Sequence, residues 1–282
     1  MAKAHVNVAL IQITSSDDPA ANLVMVERMI REAAARGAEL IATPEVTNIV
    51  SMSRKRQAAM LRREAEDPTL SRLRAVAAEL GAHLLIGSLA LKCDDPDETR
   101  FRNASFMLGP TGGIIARYDK IHMFDAAPSA AQTYRESAGY RPGETATLAK
   151  TPWAPVGMTI CYDMRFPELY LRLARAGARI LTAPSAFTRP TGAAHWDVLL
   201  RARAIETGCF VLAPAQCGVH PCAEGPARET WGRSLIVSPW GDVLADGGEA
   251  PGVVSARLDL EDVDRARRRV PSLLGARAIS GV

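Results

Sequence analysis

A layered α/β sandwich with mixed sheets is the fold class this sequence predicts, and three observations predict it. Strand-like apolar runs alternate with amphipathic helical stretches from one end of the chain to the other. A hairpin signal, Gly109-Pro110-Thr111-Gly112-Gly113, adds antiparallel pairing beside the β-α units, so the sheets should be mixed. No internal repeat, low-complexity tract or linker divides the 282 residues, and 48% hydrophobic with 23% charged residues is the balance of a globular chain.

The elements follow in order. Residues 6–13 are β-rich, and Asp17-Asp18-Pro19 then supplies an N-cap and a first-turn proline for a helix ending near Gly37. Residues 38–45 read as a buried strand that ends on Glu45. Asp67-Pro68 opens a second helix that closes at Gly81, and residues 83–91 are again strand-like. Residues 104–108 and 114–118 form the arms of the hairpin. Residues 120–145 carry Pro128, Gly139, Pro142 and Gly143 with little periodicity; a loop of that length inside a compact fold is usually functional, and it is assigned here as an active-site wall. The remainder reads as a strand at 155–161, a helix at 167–176, a strand at 179–185, a helix at 194–207, and strands at 210–216 and 234–238.

Composition narrows the function. Lys plus Arg at 34 against Asp plus Glu at 31 leaves a formal charge of +3, and the dense basic run, Arg265 with Arg267 to Arg269, lies near the end; no nucleic-acid partner is expected. Apolar runs fall far short of the roughly 18 residues a bilayer crossing needs, and the start, MAKAHVNVALIQI, lacks the pattern of a signal peptide, so a cytoplasmic protein without membrane association is expected. Cys93, Cys161, Cys209, Cys217 and Cys222 are an odd, scattered set, so no disulfide framework is expected. Cys217-Gly-Val-His220-Pro-Cys222 offers only three irregularly spaced ligands, too few for a structural zinc site, and no glycine pattern for nucleotide binding occurs; neither metal nor organic cofactor is expected.

Chemistry concentrates at strand ends. Cys161 sits where an apolar strand runs into a Pro167-opened helix, a place where a thiol can lie above a sheet near the positive end of a helix, which favours thiolate. A small buried residue at a strand end is the other reading of the same pattern. A nucleophilic cysteine needs a base; His122 and His195 are the histidines that could serve. Two further strand ends offer another set: Ala-Glu-Leu-Ile-Ala-Thr-Pro-Glu45 ends on a carboxylate and Ile-Ile-Ala-Arg-Tyr-Asp-Lys120 on an ammonium. Either alone reads as a solvated strand end; the case for one pocket rests on Glu45, Lys120 and Cys161 occurring together.

These segments, ATPEV, RYDKIHMFD and GMTICYDMRFPELY in this order, resemble the three signature segments of the nitrilase superfamily, the carbon-nitrogen hydrolases. The resemblance runs from VNVALIQI through YRES, PSAF, TGAAHWDVLLRARAIET and SPWGDVLAD to RLDLEDV near residue 263, and YDKIHMFD, YRES, CYDMRFPEL and HWDVLLRARAIE look like its Nit branch, which includes deaminated glutathione amidases and ω-amidases.

The resemblance implies a four-layer α-β-β-α sandwich in one carbon-nitrogen hydrolase domain over 1–282, with a core of about 4–263 and a C-terminal tail, assembled as a homodimer or larger and using no cofactor. It implies that Glu45 is a general base, that Cys161 attacks an amide carbon, and that Lys120 and the Tyr162 backbone N–H hold the oxyanion. The thioester is then hydrolysed to a carboxylate, with ammonia as the other product. Glu136, within YRES, matches a second glutamate beside the lysine. Arg165, Thr188 and Arg189 follow strand ends in the pocket region, where a cation could pair with a substrate carboxylate. Two departures stand out: Gly232-Arg233-Ser234 replaces Gly-His-Ser, and Ala126-Ala127-Pro128 replaces acidic residues; both are expected to alter the substrate pocket.

The expected activity is therefore a cysteine amidase acting on the terminal carboxamide of a small anionic substrate, most similar to a deaminated glutathione amidase. An ω-amidase acting on α-ketoglutaramate or succinamate is the alternative within the branch. A Cys–His acyl hydrolase using His122 or His195, and a binding protein on this scaffold, are the readings from outside it.

Overall fold

Alternation along the first strand shows how the layers arise. The computed structural model describes residues 4–129 and 132–277. In strand His5–Gln12, Val6, Val8 and Leu10 point into one apolar cluster, while Ala9 and Ile11 point into another on the opposite face. The second cluster packs that sheet against helices Pro19–Ala35 and Pro68–Leu80. The first packs it against a second sheet and its helices Pro167–Arg175 and Arg189–Thr207. The result is four layers, helix, sheet, sheet, helix, as expected.

Each sheet has six strands. The first runs in the order Gly252–Asp259, His5–Gln12, Leu40–Ala42, His83–Lys92, Phe101–Leu108, Ile114–Asp119; the second runs Val243–Asp246, Leu235–Val237, Phe210–Ala213, Ile180–Thr182, Pro155–Met158, Thr147–Lys150. Three central strands of each are parallel and their flanking pairs antiparallel, so both sheets are mixed. In the first sheet, two antiparallel steps return strand Ile114–Asp119 to the direction of Leu40–Ala42, so both strands end at the same edge. Carboxyl ends of parallel strands are where open α/β sheets place ligands.

The helix ends follow local chemistry. Asp18 accepts hydrogen bonds from the N–H groups of Ala20 and Ala21 ahead of Pro19, Asp67 accepts one from Leu70 ahead of Pro68, and Gly81 closes the second helix in the left-handed conformation at φ 61°. Several elements differ from expectation. The strand toward Cys161 stops at Met158 and continues into a 3-10 turn, Cys161–Arg165. The helix placed at 194–207 starts five residues earlier, at Arg189, because Pro190 fits a first-turn position. The segment assigned as a structureless loop holds a hairpin of Asp125–Ser129 with Gln132–Arg135; its residues 130–131 lie outside the described residues. The stretch expected to be a tail from 264 is largely helix, Glu261–Arg269, with Val263 and Ala266 buried and Asp264 paired with Arg179 at 2.6 Å; residues 278–282 lie outside the described residues. Its basic run is absorbed by the fold: Arg265 pairs with Asp259, and Arg267 donates to the carbonyls of Thr207 and Ala178. Among the described residues, no helix is long and apolar enough to cross a membrane.

Candidate active site

Three strand ends from the two sheets meet at one cavity. Glu45 follows strand Leu40–Ala42 on a turn held on both sides: Thr43 N–H donates to Leu85 O at 2.9 Å, and Val46 N–H to the Ser88 hydroxyl at 2.8 Å. Val46 has φ 47°, a left-handed conformation a β-branched residue adopts only under constraint, and it turns the chain so that Glu45 faces inward. Lys120 follows strand Ile114–Asp119, its N–H donating to Asn103 O at 2.9 Å. Cys161 follows the second-sheet strand Pro155–Met158; its N–H donates to Pro184 O at 2.9 Å and its φ is 46°. The Cys161 turn is thus fastened just beyond the end of the neighbouring strand, Ile180–Thr182.

All three side chains are buried: Glu45 is 4% exposed, Lys120 2% and Cys161 8%. Lys120 Nζ donates to Glu45 Oε1 at 2.8 Å and to Glu136 Oε1 and Oε2 at 2.8 and 2.9 Å. Asn103 Nδ2 adds a second bond to Glu45 Oε1 at 2.9 Å, and Ala186 N–H donates to Oε2 at 2.8 Å. Glu136 in turn accepts from Phe124 N–H at 2.6 Å. An ammonium between two carboxylates is what makes burial of these charges tolerable.

Electrostatics set the protonation states. Burial alone would raise the Glu45 carboxyl, but the Lys120 ammonium, by charge and hydrogen bond, more than offsets it, and Arg228 and Cys161 pull the same way, so Glu45 lies below its ordinary value. Burial would lower Lys120, and Glu136 and Glu45 hold it well above its ordinary value instead. Burial and then the charge of Glu45 push the Cys161 thiol up, with Lys120 only partly opposing. The expectation of a thiolate favoured by a nearby helix end is therefore corrected. Cys161 stands as a raised thiol beside the lowered Glu45 carboxylate.

The cavity, of about 200 Å³, is lined by these groups together with Asn103, Tyr140, Tyr162, Phe187 and Thr188. Neither expected histidine reaches it. His122 Nδ1 lies 2.7 Å from Asp163 Oδ1 with its ring stacked on Phe166 at 3.6 Å, and exposed His195 lies against Arg165. Arg165 and Arg189 do not line it either: Arg165 lies 5.9 and 5.3 Å from the ring centroids of Tyr162 and Phe187, and Arg189 pairs with Glu229 at 3.1 Å. The cations that do line it, beside Lys120, are Arg54, Arg135 and Arg228. Sequence reading missed all three: Arg54 and Arg228 come from a short helix and a small hairpin with no local motif, and Arg135 lies within YRES, where only Glu136 was singled out. Asn103 carried a signal that could have been used, a lone amide in the apolar strand Phe101–Leu108. Arg233, which pairs with Asp246, and Ala126 and Ala127 are not among the lining residues, so the two departures lie away from the pocket they were expected to alter.

Asp163, fully buried, organises the nucleophile turn from behind. It accepts from Ile160 N–H at 2.8 Å, Tyr118 O–H at 2.7 Å and His122 N–H at 3.0 Å, which ties the Cys161 turn to the end of strand Ile114–Asp119 and so to Lys120. His220, in the stretch read as too sparse for zinc, is occupied on both ring nitrogens, by Ser15 O at 2.7 Å and the Thr230 hydroxyl at 2.8 Å, and burial lowers its pKa to about 4, so it is neutral.

Comparison with known proteins agrees with this geometry. The carbon-nitrogen hydrolase family profile matches residues 7–268. A deaminated glutathione amidase of Yersinia enterocolitica is 37% identical over 284 residues, covering 99% of this chain and 95% of its own. The C. elegans NitFhit protein superposes with a TM-score of 0.88 at 34% identity, covering 98% of this chain and 66% of that one. A mutant amidase from Nesterenkonia sp. AN1, with a TM-score of 0.76 and 26% identity over 95% of this chain and 97% of its own, carries the acetamide moiety of fluoroacetamide added covalently at its active-site cysteine.

Proposed function

The chain belongs to the carbon-nitrogen hydrolase family, the nitrilase superfamily, and is a cysteine-dependent amidase acting on non-peptide carbon–nitrogen bonds; on that premise we propose that Cys161, Glu45 and Lys120 carry out the hydrolysis of an amide of a small anionic acid, of the deaminated glutathione type. The observation that carries the proposal is one ammonium, Lys120, held between Glu45 and Glu136 beside a buried thiol. The guanidinium-rich cavity wall supports an anionic substrate, and the relatives named deaminated glutathione amidase support the particular amide.

The chemistry follows from the protonation states. Glu45 takes the thiol proton as Cys161 Sγ bonds to the amide carbon, and the Lys120 ammonium and the Tyr162 backbone N–H hold the resulting oxyanion. Collapse breaks the carbon–nitrogen bond while Glu45 returns the proton to the leaving nitrogen, which departs as ammonia from a primary carboxamide or as a free amine from a substituted one. Glu45 then deprotonates a water that attacks the thioester, releasing the carboxylate and restoring the thiol. Glu136 keeps Lys120 in place and charged throughout.

Purified protein with Cys161→Ala as control tests this against deaminated glutathione, α-ketoglutaramate, succinamate and a simple nitrile. Ammonia is followed for the primary amides and the nitrile, and free amine for deaminated glutathione. Turnover that vanishes in the variant is expected, with deaminated glutathione preferred. Preference for α-ketoglutaramate or succinamate would assign the ω-amidase reaction instead, and no turnover of any of the four would overturn the proposal.

A further inference from the structure

Within the amidase reading, on which this rests, the cavity poses a question the triad does not answer: what selects an anion. Both lining carboxylates are spent on Lys120. Among the described residues no carboxylate lies within 4 Å of Arg54, Arg135 or Arg228, so three guanidinium groups face or flank one cavity without an acidic partner. Arg135 is exposed. Arg54 lies over the Phe101 ring at 4.3 Å, donates to Gly139 O at 2.7 Å, and also borders a separate outer cleft.

Arg228 is placed differently. It stands at the start of strand Arg228–Trp231, in a hairpin with Cys217–His220, and is partly buried. Its Nη2 donates to Ala186 O at 2.6 Å, and the N–H of that same Ala186 donates to Glu45 Oε2 at 2.8 Å. One residue therefore separates this guanidinium from the general base. Its Nε is buried without a hydrogen-bond partner in the described structure, and its charge is felt by Glu45. The opposite side of the guanidinium lies over the Tyr134 ring, 5.9 Å from its centroid. An arginine incompletely satisfied by protein, this close to the reacting centre, has the fork that matches a carboxylate.

We propose that Arg228 is the specificity-determining residue of the site, pairing with a carboxylate borne on a short acyl chain whose other end is the carbonyl attacked by Cys161. Arg228 and Glu45 are joined through the single residue Ala186, which keeps the guanidinium near the reacting centre, where a carboxylate on a short acyl chain would lie.

The test compares succinamate with butyramide, which has the same backbone length but a methyl group where succinamate has its carboxylate. For wild type, kcat/KM should favour succinamate. In Arg228→Gln the ratio of the two kcat/KM values should fall about ten- to a hundredfold, the worth of a charge-assisted hydrogen bond, with the loss carried mainly by KM for succinamate. Arg228→Lys should recover part of the ratio, since it keeps the charge but not the fork. A role confined to supporting Ala186 and Glu45 would lower both substrates together and leave the ratio at the wild-type value, which would overturn the assignment. Wild-type protein that turns over deaminated glutathione but does not favour succinamate over butyramide would also overturn the assignment, whereas protein that turns over none of these amides would overturn the amidase reading beneath it. A melting curve on each variant establishes that it is folded, and the butyramide reaction supplies an internal reference for the machinery.

Discussion

Gly87 and Pro184 approach each other so closely across the two sheets that a Cβ built on Gly87 would lie 2.6 Å from Pro184 Cβ, and 1.9 Å from Thr43 O. Pro184 is the residue whose carbonyl holds Cys161 N–H, and Thr43 precedes the turn that carries Glu45. The missing side chain at 87 lets the base-bearing turn and the strand end that fastens the nucleophile come together.

Gly87→Ala should therefore injure both stability and catalysis. The contacts are with backbone and a rigid proline ring, so the cost should reach or exceed the upper part of the range of about 1–3 kcal/mol for overpacking. A displacement near 1 Å between Glu45 and Cys161 should cost on the order of a hundredfold in kcat. Thermal melting and steady-state kinetics of the variant check this; a wild-type melting temperature with wild-type kcat would show that the two turns are not coupled through residue 87.

Glu45→Gln keeps the shape of the side chain and an oxygen for Lys120 but removes the proton acceptor. Turnover should fall about 10²- to 10⁴-fold, the span of general acid–base contributions. Removal of the Glu45 charge also withdraws one of the causes that push the Cys161 thiol up, so its alkylation by iodoacetamide at neutral pH should be at least as fast as in wild type while turnover collapses. Wild-type turnover in the variant would mean that Cys161 loses its proton to some other group.

Lys120→Met leaves Glu45 buried, and Glu136 part-buried, without their shared cation, a loss of about 3–5 kcal/mol for breaking the buried Glu45 pair. The sign of its pH dependence follows. In wild type the depressed Glu45 adds stability that is present above its unfolded pKa and lost as pH falls through its lower folded value. In the variant the main charge that opposes burial at Glu45 is gone, so the Glu45 carboxyl rises and the folded state binds its proton more readily than wild type does. The stability gap to wild type should be widest at neutral pH and narrow as pH falls through the carboxylate range. Chemical denaturation at several pH values measures it, and a gap independent of pH would argue against charge burial as the cause.

Asp163→Asn touches no reacting atom but removes the charge that ties Ile160, Tyr118 and His122 to the nucleophile turn. A stability loss of about 1–3 kcal/mol is expected for acceptors left incompletely satisfied, with a fall in kcat larger than any rise in KM because the φ 46° conformation at Cys161 is held less firmly. A change in KM alone would place Asp163 in substrate binding instead.

Local patterns in the chain were enough to determine the layers. Period-two alternation in residues 6–11 sends successive side chains to opposite faces, and Asp18-Pro19, Asp67-Pro68 and Gly81 mark helix ends by satisfying backbone groups within a few residues of themselves. That Glu45, Lys120 and Cys161 could meet in one cavity was legible for the same reason, since each follows a recognisable strand. Tertiary structure alone decided which groups meet. That both Glu45 and Glu136 hold Lys120, that the thiol is raised rather than lowered, and that Arg228 lines the cavity while Arg165 and Arg189 do not all depend on contacts between residues far apart in sequence. A short-range signal states that a charge stands at a strand end, whereas the direction of its side chain and the dielectric around it come from the register of the sheets and the turns packed above them.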